Sequence, residues 1–438
     1  MNDMTTVVWF RRDLRLGDHR AVAAADATPA VGLFVLDPVL LASAGPVRTR
    51  RLFGSLNSLA NDLAAGGGRL VLRTGDPRQV VPQVAVEAGA EQVLVSGDFA
   101  PYGLRRDRDV ASALDDAGRV LRSADTPYLH APGSVTKSDG HPFSVFTPFY
   151  RAWDQLPVPG PADGHPQWRA DLDSDPIPTG DPGVGEAAAL ERLDQFVSGP
   201  VAEYDRDRNR TDLAGTSGLS AALRFGEIHP RTIVAAAGGG GFVRQLCWRD
   251  FYADVLFRRP DAAWGNVDRR FDALPWVDDD ERFRVWCDGL TGYPMVDAGM
   301  RQLAATGWMH NRTRMVVASF LTKDLMIAWQ RGARWFLDHL RDGDIANNSM
   351  GWQWTAGTGM DPSPYYRVFN PVLQGLKFDP DGDYVRRYVP ELRHLHGSAV
   401  HEPWNHPDGY AHGYPRRIVD HAEARAAALA AYEVVKSG

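Results

Sequence analysis

Cysteine is scarce in this chain, because its 438 residues contain only Cys247 and Cys287. Two cysteines form no disulfide framework and supply no cysteine-rich zinc site. The sequence also lacks an apolar run of the ~20 residues that a membrane-spanning helix needs. The apolar stretch Val7–Phe10 is too short for the core of a signal peptide. We therefore expect a cytoplasmic protein that has no membrane segment and no metal site.

Lysine is nearly as scarce, with four positions among the 48 lysines and arginines together. The net charge of −7 argues against a protein that coats nucleic acid by bulk charge. Arginine is the better side chain for bidentate phosphate contacts, although GC-rich coding explains the same bias. The composition is therefore compatible with a local basic face but not with a general one.

Residues 1–125 alternate short apolar runs with helical patterns. Most of the runs are almost continuously apolar, which is typical of parallel strands covered on both faces. The predicted strands are Thr5–Phe10, Ala30–Leu36, Leu70–Arg73, Gln92–Val95 and Arg119–Leu121, and the predicted helices are Arg20–Ala27, Val47–Ala65, Pro77–Ala88 and Leu104–Ala117. This alternation predicts a doubly wound α/β domain with a parallel sheet. No G-x-G-x-x-G motif follows the first strand, so we expect no dinucleotide bound in the usual way.

The rest of the chain changes character twice. Residues 126–185 are rich in Pro, Gly and Asp, which predicts a long surface linker that is partly ordered by its aromatic residues. From residue 186 to residue 438 the pattern is helical and dense in Trp and Arg, which predicts an all-α domain. The length also favours two domains.

The stretch 342–354 concentrates chemically useful side chains. Carboxylates such as Asp342 and Asp344 can accept hydrogen bonds from hydroxyl groups or hold an arginine without a metal. Trp352 and Trp354 offer flat apolar faces. A turn between two helices, with caps and packing aromatics, explains the same residues. The stretch alone therefore does not decide between a site and a turn.

Six motifs, in their order, resemble those of the photolyase/cryptochrome family. They are WFRRDLRLGD at 9–18, GTSGLS at 215–220, WRDFY at 248–252, TGYP at 291–294, WMHNR at 308–312 and the stretch 342–354. Each motif alone is weak, but together they span nearly the whole chain. The resemblance implies an α/β antenna-binding domain (1–125), an interdomain linker (126–185) and a helical FAD- and DNA-binding domain (186–438).

The resemblance also implies which residues bind FAD. Thr216 and Ser217 place hydroxyl and backbone N–H groups at a predicted helix start, where a diphosphate fits; a plain capping turn is the alternative. Arg314 and Asp342 match the family's flavin-facing ion pair, and Asn348 matches the amide that faces the flavin N5. The implied FAD-binding set is Tyr204, Thr216, Ser217, Gly218, Leu219, Ser220, Arg249, Asn311, Arg314, Asp342, Asp344 and Asn348.

Trp276, Trp329 and Trp352 match the family's electron-transfer chain, which runs from the surface to the flavin. An indole that loses an electron can be reduced by the next indole, so a spaced row would reduce photoexcited FAD. Each tryptophan taken alone is explained as core packing, because burying a large aromatic ring stabilises the fold. The match of all three positions favours the electron-transfer chain.

A pyrimidine dimer inside a duplex must be flipped out before it can approach a buried flavin. Trp248 and Trp354 would then form the apolar wall against the flipped bases, where stacking is worth about 1–3 kcal/mol per base. The residues implied to contact DNA are Arg208, Gln245, Trp248, Arg249, Asn311, Arg312, Trp354, Arg367, Gln374 and Lys377. For the basic residues a solvated surface charge is the alternative.

The resemblance extends to the class I branch that repairs cyclobutane dimers. Asn311 and Met315 match that branch, whereas the (6-4) branch carries histidines at both positions. Gln245 departs from it, because dimer photolyases usually have a Glu there; Gln donates a hydrogen bond but cannot carry a proton, and it also occurs in the (6-4) branch. The residues implied to take part in the reaction are Trp276, Trp329, Trp352, Asn348, Gln245, Asn311 and Met315.

The expected function is light-driven repair of UV-damaged DNA, in which reduced FAD lends an electron to a flipped cyclobutane dimer. The alternatives are a (6-4) photolyase and a cryptochrome-type blue-light photosensor, which usually needs a long tail; this chain stops soon after Tyr432. We expect a monomer without an obligate protein partner.

A second chromophore is also expected. The segment PYGLRRD at 101–107 resembles the type that binds an 8-hydroxy-5-deazaflavin antenna, and the Asn-Glu pair of a folate antenna is absent at Gly103-Leu104. Arg48 and Asp98 are the predicted antenna contacts. An α/β domain with nothing bound is the alternative.

Overall fold

The computed structural model describes residues 5–26, 28–360 and 366–437. The chain forms two compact units, of which the first comprises Met1–Val201 and Ser217–Pro260 and the second Ala202–Thr216 and Asp261–Gly438. This division differs from the predicted boundaries, because the predicted linker and the helices up to Pro260 belong to the unit that contains the sheet. The roles given to residues 1–125, 126–185 and 186–438 stay predictions.

The first unit is built on a parallel sheet with the strand order β3-β2-β1-β4-β5. The strands are β1 (Thr5–Phe10), β2 (Pro29–Leu36), β3 (Leu70–Thr74), β4 (Ala90–Ser96), β5 (Val120–Asp125) and β6 (Gln167–Trp168). In the register, Val8 of β1 lies opposite Gly32 of β2 and Leu94 of β4. All five predicted strands are present, and the short β6, which pairs with the start of β2, was not predicted.

The α-helices complete both units. They are α1 (Arg20–Ala24), α2 (Pro38–Ala42), α3 (Pro46–Ala65), α4 (Pro77–Glu87), α5 (Pro101–Asp116), α6 (Phe146–Trp153), α7 (Glu186–Val197), α8 (Tyr204–Asp207), α9 (Ser220–Phe225), α10 (Pro230–Ala237), α11 (Gly241–Arg258), α12 (Asp280–Cys287), α13 (Pro294–Thr306), α14 (Asn311–Ser319), α15 (Trp329–His339), α16 (Ile345–Ala356), α17 (Pro371–Phe378), α18 (Asp383–Tyr388) and α19 (His421–Ser437). The first predicted helix ends at Ala24, and Ala27, its predicted end, lies outside the described residues.

Alternate side chains of the central strand enter two different cores. Val7 and Trp9 pack in one core with α4 and α5, whereas Val8 and Phe10 pack in the other with α1 and α3. Successive residues of a strand point to opposite faces of the sheet, so helices cover both faces. This arrangement confirms the predicted doubly wound α/β fold.

The second unit, which contains α8 and α12–α19, is helical and packs around its own apolar core, in which Phe320, Trp286, Trp329 and Trp352 are buried. A π-helical turn, Phe320–Asp324, follows α14 directly. The 3₁₀ helices of the chain are Pro200–Glu203, Pro260–Ala263, Arg269–Ala273, Pro390–Leu392, Gly397–His401 and Pro403–Asn405. This confirms the predicted helical C-terminal region.

Two searches of the described residues gave negative results. None of their helices combines the length and the apolar character that crossing a bilayer requires. Nor do three or more of their His, Cys, Asp and Glu side chains gather in a group suited to hold a metal ion.

Candidate functional site

Helix α16 carries the centre of the candidate site. Asp344 caps its start, because the Asp344 carboxylate accepts the backbone N–H of Asn347 at 3.0 Å. Asn348 and Trp352 are four residues apart and share one face of the helix, whereas Trp354 lies about 200° around the helix from Trp352. Trp352 is 3% exposed and Trp354 is partly exposed. One helix thus presents an inward indole and an outward indole.

Arg314 and Asp342 form the predicted ion pair. The Arg314 guanidinium donates to Asp342 Oδ2 at 2.8 Å and to the Met309 carbonyl at 2.8 Å. The other carboxylate oxygen, Oδ1, is buried and has no hydrogen-bond partner among the described residues. A buried acceptor without a donor costs on the order of 1–3 kcal/mol. The pair therefore leaves one buried acceptor open for a donor group of a bound ligand.

The side chain of Asn348, on α16, is held in a defined orientation by a hydrogen bond to α15. Its amide Nδ2 donates to the Ala333 carbonyl at 2.9 Å, which leaves the amide oxygen outside that bond. The neighbouring Gly332 allows the two helices to approach closely, because a Cβ there would lie 2.2 Å from the Trp352 ring. Trp329 begins α15 one turn before Gly332, so its indole lies on the helix that packs against Trp352.

The three predicted electron-transfer tryptophans pack on one core and differ in burial. Trp329 and Trp352 are buried in it, and Trp276 packs against it while remaining partly exposed. The Trp329 indole N–H donates to Asn266 Oδ1 at 2.8 Å. Trp276 is therefore the most exposed of the three, and the electron-transfer role stays a prediction.

The sequence analysis missed a fourth indole in this core. Trp286 is fully buried, its ring centroid lies 6.1 Å from that of Trp352, and its N–H donates to the Val317 carbonyl at 3.0 Å. Trp286 lies in α12, a short helix with many charged residues. Its sequence neighbours give no signal that would have distinguished it from ordinary core packing.

The predicted diphosphate loop divides between the two units. In the first unit α9 begins at Ser220, and its N-cap is Leu219, whose backbone N–H donates to Ser217 Oγ at 3.4 Å. The N-cap residue itself therefore offers no side-chain cap, and Ser217 Oγ accepts a hydrogen bond just before the helix. Gly218 has φ +65°, a left-handed conformation that favours glycine. Thr216, in the second unit, is partly exposed.

Tyr204, also in the second unit, is buried on α8. The Arg208 guanidinium lies 5.9 Å from its ring centroid. Burial raises the pKa of the Tyr204 hydroxyl above its ordinary value. The phenol therefore stays neutral and can donate a hydrogen bond at physiological pH.

Arg249 has several partners within the first unit. Its guanidinium donates to the Pro127 carbonyl at 2.7 Å and to the Leu223 carbonyl at 3.2 Å, and it lies 4.5 Å from the Tyr128 ring. These contacts tie the start of the predicted linker to α11. The cofactor and DNA roles of Arg249 stay predictions.

Trp248, the predicted DNA wall of the first unit, has an unexpected partner. Its ring stacks face to face on Phe146 of α6, with centroids 3.6 Å apart and planes at 6°. Trp248 is partly exposed, and Gln245, one turn earlier, donates from Nε2 to the Gly241 carbonyl at 3.1 Å. The sequence analysis missed Phe146, although the spacing of Phe146, Phe149, Tyr150 and Trp153 is typical of an amphipathic helix.

Basic side chains meet around Phe378 in the second unit. The Arg312 guanidinium lies 4.4 Å from the Phe378 ring, Lys377 Nζ lies 5.4 Å from it, and Arg312 donates to Asn209 Oδ1 at 2.7 Å. The pKa of Arg312 is lowered, mainly by burial and to a smaller extent by the positive charge of Arg208. Among the described residues, no carboxylate offsets these two effects. This arrangement is suited to an anion such as a phosphate.

The other predicted contacts lie at or near the ends of α14 and α17. Asn311 is exposed, and its amide Nδ2 lies 3.9 Å from Met315 Sδ, so the structure brings these two residues together. Arg367 is exposed, and its backbone carbonyl accepts from Lys323. Gln374 Oε1 is buried and has no partner among the described residues.

The predicted antenna residues lie in the first unit. Asp98 follows β4 and pairs with Arg106 at 3.2 Å and with Arg12 at 3.9 Å. Burial alone would raise the pKa of Asp98, but these arginines hold it below its ordinary value. Arg48 donates to the Ser43 carbonyl at 2.9 Å. Asp98 lies where the strand order reverses between β1 and β4, a usual ligand-binding position in such sheets.

Known proteins resemble the chain over nearly its whole length. Two family models match it, DNA photolyase over residues 6–165 and the FAD binding domain of DNA photolyase over residues 242–434. The deoxyribodipyrimidine photo-lyase of Streptomyces griseus is 44% identical, covering 96% of this chain and 97% of that protein.

Solved structures agree with these matches. A bacterial class III photolyase from Agrobacterium tumefaciens matches with a TM-score of 0.93 at 38% identity, covering 100% of this chain and 99% of that one. An archaeal photolyase from Sulfolobus tokodaii matches with a TM-score of 0.87 at 28% identity, covering 98% and 100%.

The chain therefore belongs to the DNA photolyase family. Its helical part contains the family's FAD-binding domain, which includes Asp342, Asp344 and Asn348. The open acceptor on Asp342 fits a cofactor that carries hydroxyl and ring N–H donors. The narrower assignment to class I stays a prediction.

Proposed function

We propose that this protein is a light-driven DNA-repair enzyme, a deoxyribodipyrimidine photolyase that acts on cyclobutane dimers. The observation that carries the proposal is the open acceptor of Asp342 beside Arg314, on the unit that also holds Asn348 and the buried tryptophans. The residues around this acceptor would hold reduced FAD, which would supply light-driven one-electron chemistry: an electron lent to the dimer and returned once the cyclobutane ring has opened.

Residues of the second unit hold and orient the cofactor. Asp342 Oδ1 accepts a donor group of FAD, while Arg314 balances the carboxylate charge. Asn348 is oriented by its bond to the Ala333 carbonyl, so its amide oxygen is directed by the fold rather than by the ligand. Asp344 caps α16. Its carboxylate would also contact the adenosine and ribityl part of FAD. Neighbours of this kind are how a protein tunes a bound cofactor.

The buried tryptophans supply electrons to the cofactor when it has become oxidised. Trp352 would pass an electron to the bound cofactor, Trp329 would reduce Trp352, and Trp276, at the partly exposed end of the row, would reduce Trp329. The Trp329→Phe variant should lose light-driven reduction and keep repair once FAD is reduced chemically, as measured by absorbance under blue light. Trp335→Phe, on the same helix and partly exposed, is the control. Unchanged photoreduction in Trp329→Phe would exclude this route.

Damaged DNA is bound by stacking and by phosphate contacts. The first unit offers the partly exposed indole of Trp248 for base stacking. The second unit offers the partly exposed indole of Trp354, and its Arg208, Arg312 and Lys377 offer positive charge to the DNA backbone. Stacking of bases on aromatic rings tolerates many sequences. A lesion that already weakens stacking costs least to flip, which supplies the selectivity.

A second chromophore of the 8-hydroxy-5-deazaflavin type is proposed for the first unit, with Arg48 and Asp98 as contacts. The Sulfolobus tokodaii photolyase holds two FAD molecules, with the implication of a novel light-harvesting cofactor, so antenna chemistry is known among matching structures. To distinguish the three candidate antennas, the protein is reconstituted with a deazaflavin, a folate or additional FAD. Energy transfer from each chromophore to the catalytic FAD is then measured. A monomeric state and a cytoplasmic location stay predictions from the sequence.

The decisive experiment uses oligonucleotides that carry one defined lesion. The FAD-loaded, chemically reduced protein should restore cyclobutane-dimer strands under blue light, and darkness should abolish the reaction. Repair confined to (6-4) products would overturn the lesion assignment, and light-driven changes in the protein without any repair would instead indicate a photosensor.

A further inference from the structure

The stack of Phe146 on Trp248 is unusual in its geometry. The ring planes are nearly parallel at 6°, and the centroids are only 3.6 Å apart. Aromatic pairs prefer offset or edge-to-face arrangements over such a face-to-face sandwich. Neighbouring side chains of the first unit must therefore hold the two rings in this arrangement.

Three neighbours hold Phe146 in place. Tyr150, one turn later on α6, lies 6.1 Å away with planes at 21°, and Phe251 of α11 contacts the ring edge-on at 5.8 Å. The Arg244 guanidinium lies 5.5 Å from the Phe146 centroid and 5.0 Å from that of Tyr150. A cation over aromatic faces is attracted to them, so Arg244 links the outer side of this aromatic layer to α11.

The same contacts restrict the Trp248 indole. Phe146 covers one of its faces, while Phe251 at 5.9 Å and Tyr252 at 5.3 Å contact it at steep angles. A base can therefore stack only on the face opposite Phe146. Because the ring plane is already fixed, less conformational entropy is lost when a base stacks on it.

We propose that Phe146 is a positioning residue for lesion recognition: it fixes the plane of Trp248 so that one flipped pyrimidine stacks on the indole face that Phe146 does not cover. The proposal rests on the repair function proposed above. Phe146 itself is 2% exposed and acts through Trp248. The helix that carries it lies within the segment predicted to be only a linker.

The test is the Phe146→Leu variant, which keeps an apolar side chain and removes the ring. Its affinity for an oligonucleotide with one cyclobutane dimer should fall about three- to tenfold, while its affinity for undamaged DNA stays that of the wild type. The ¹⁹F signal of 5-fluorotryptophan at position 248, assigned with Trp248→Phe, should broaden or shift in the free variant. The affinity ratio is the affinity for dimer-containing DNA divided by that for undamaged DNA. If Phe146 had only a structural role, the variant would not change both this ratio and the position-248 signal.

Phe149→Leu is the matched control. Phe149 lies on the same helix, is 1% exposed and packs on Phe251 at 5.0 Å. This variant should lose comparable core packing and keep the wild-type affinity ratio. If Phe146→Leu does not fold, Arg244→Gln, at an exposed position, should lower the ratio about twofold through the same layer.

The outcomes separate the two proposals. A wild-type protein that binds dimer-containing and undamaged DNA equally would remove the repair function. A wild-type preference that persists in Phe146→Leu and Arg244→Gln, with an unchanged position-248 signal, would overturn only the role of Phe146.

Discussion

Two groups of buried charges, one in each compact unit, are paired to different degrees. In the first unit the buried Asp125 pairs with Arg231 at 2.9 Å and with Arg15 at 3.7 Å. Asp18 accepts from Arg231 through its carboxylate at 3.0 Å and from Arg15 through its backbone carbonyl at 2.8 Å. Burial alone would raise the pKa of Asp125, but hydrogen bonds from Arg231 and nearby positive charge lower it to about 2. In the second unit, Arg312 has only an amide and a ring as described partners, and one oxygen of Asp342 lacks a donor.

This contrast separates structural charges from functional ones. Removing the partner of a buried charge is strongly destabilising, so the Asp125 cluster maintains the fold of its unit. A charge or acceptor left incompletely satisfied lowers stability, and it gains its partner when a ligand binds. The second unit therefore has features expected of a binding surface, whereas the Asp125 cluster does not.

The largest effect should follow from breaking the paired cluster. In Asp125→Ala, Arg231 keeps the Asp18 carboxylate and Arg15 keeps the carbonyls of Asp18 and Gly226, so the free energy of unfolding should fall by about 3–5 kcal/mol. Chemical denaturation of the FAD-free protein measures this loss. The control, Asp383→Ala, removes an exposed carboxylate that pairs with Arg386 at 2.7 Å and should cost about 0–1 kcal/mol. Equal losses in the two variants would contradict the structural role of the Asp125 cluster.

The next effect concerns the open acceptor. Asp342→Ala removes both the partner of Arg314 and the unused Oδ1, so FAD affinity should fall about 10- to 100-fold, as expected for a charge-assisted hydrogen bond. Titration with FAD, followed by flavin fluorescence, measures the change. Asp338→Ala, at an exposed position on α15, should bind FAD like the wild type. An Asp342→Ala variant with unchanged affinity would show that the open oxygen does not face the cofactor.

A smaller effect is expected at the uncompensated arginine. Arg312→Ala should weaken binding of damaged and undamaged DNA alike, by about tenfold, and lower the slope of affinity against salt by about one phosphate contact. Equilibrium binding at several salt concentrations provides both values. Arg282→Ala, which removes an arginine paired with Asp279 at 3.4 Å, should leave the slope unchanged. The assignment fails if both variants have the wild-type slope.

The sequence predicted the sheet well for a physical reason. Parallel strands buried on both faces are almost continuously apolar, so their positions are visible locally, and all five were found. The contacts of Trp248 were not predictable in this way, because Phe146 lies about one hundred residues earlier in the chain. Local periodicity predicts helices and strands, but it does not say which helix face meets which indole. Likewise, the motif around Asp342 indicated the Arg314 pair but not the oxygen that the pair leaves open.

Asp250, also in the first unit, is a buried carboxylate that is only partly paired. Its Oδ2 accepts from the Trp153 indole at 2.9 Å and from the His130 backbone N–H at 3.1 Å, while its buried Oδ1 has no partner among the described residues. Burial raises the pKa of Asp250 to about 6. The folded protein therefore holds the proton more tightly than the unfolded chain, whose Asp pKa is near 3.9. The stability from this proton is complete below about pH 4 and is lost as the pH rises to about 6.

The smallest predicted effect follows from this titration. Between pH 5 and pH 8 the wild type should lose about 1 kcal/mol more unfolding free energy than Asp250→Asn, because the variant has no carboxyl group to ionise. Denaturant unfolding at the two pH values measures the difference. Asp254→Asn, one turn later on α11, removes a carboxylate paired with Arg258 at 2.9 Å and should retain the wild-type pH dependence. If Asp250→Asn and the wild type lose the same amount, the unpaired oxygen does not hold a proton, and the first unit pairs Asp250 in some other way.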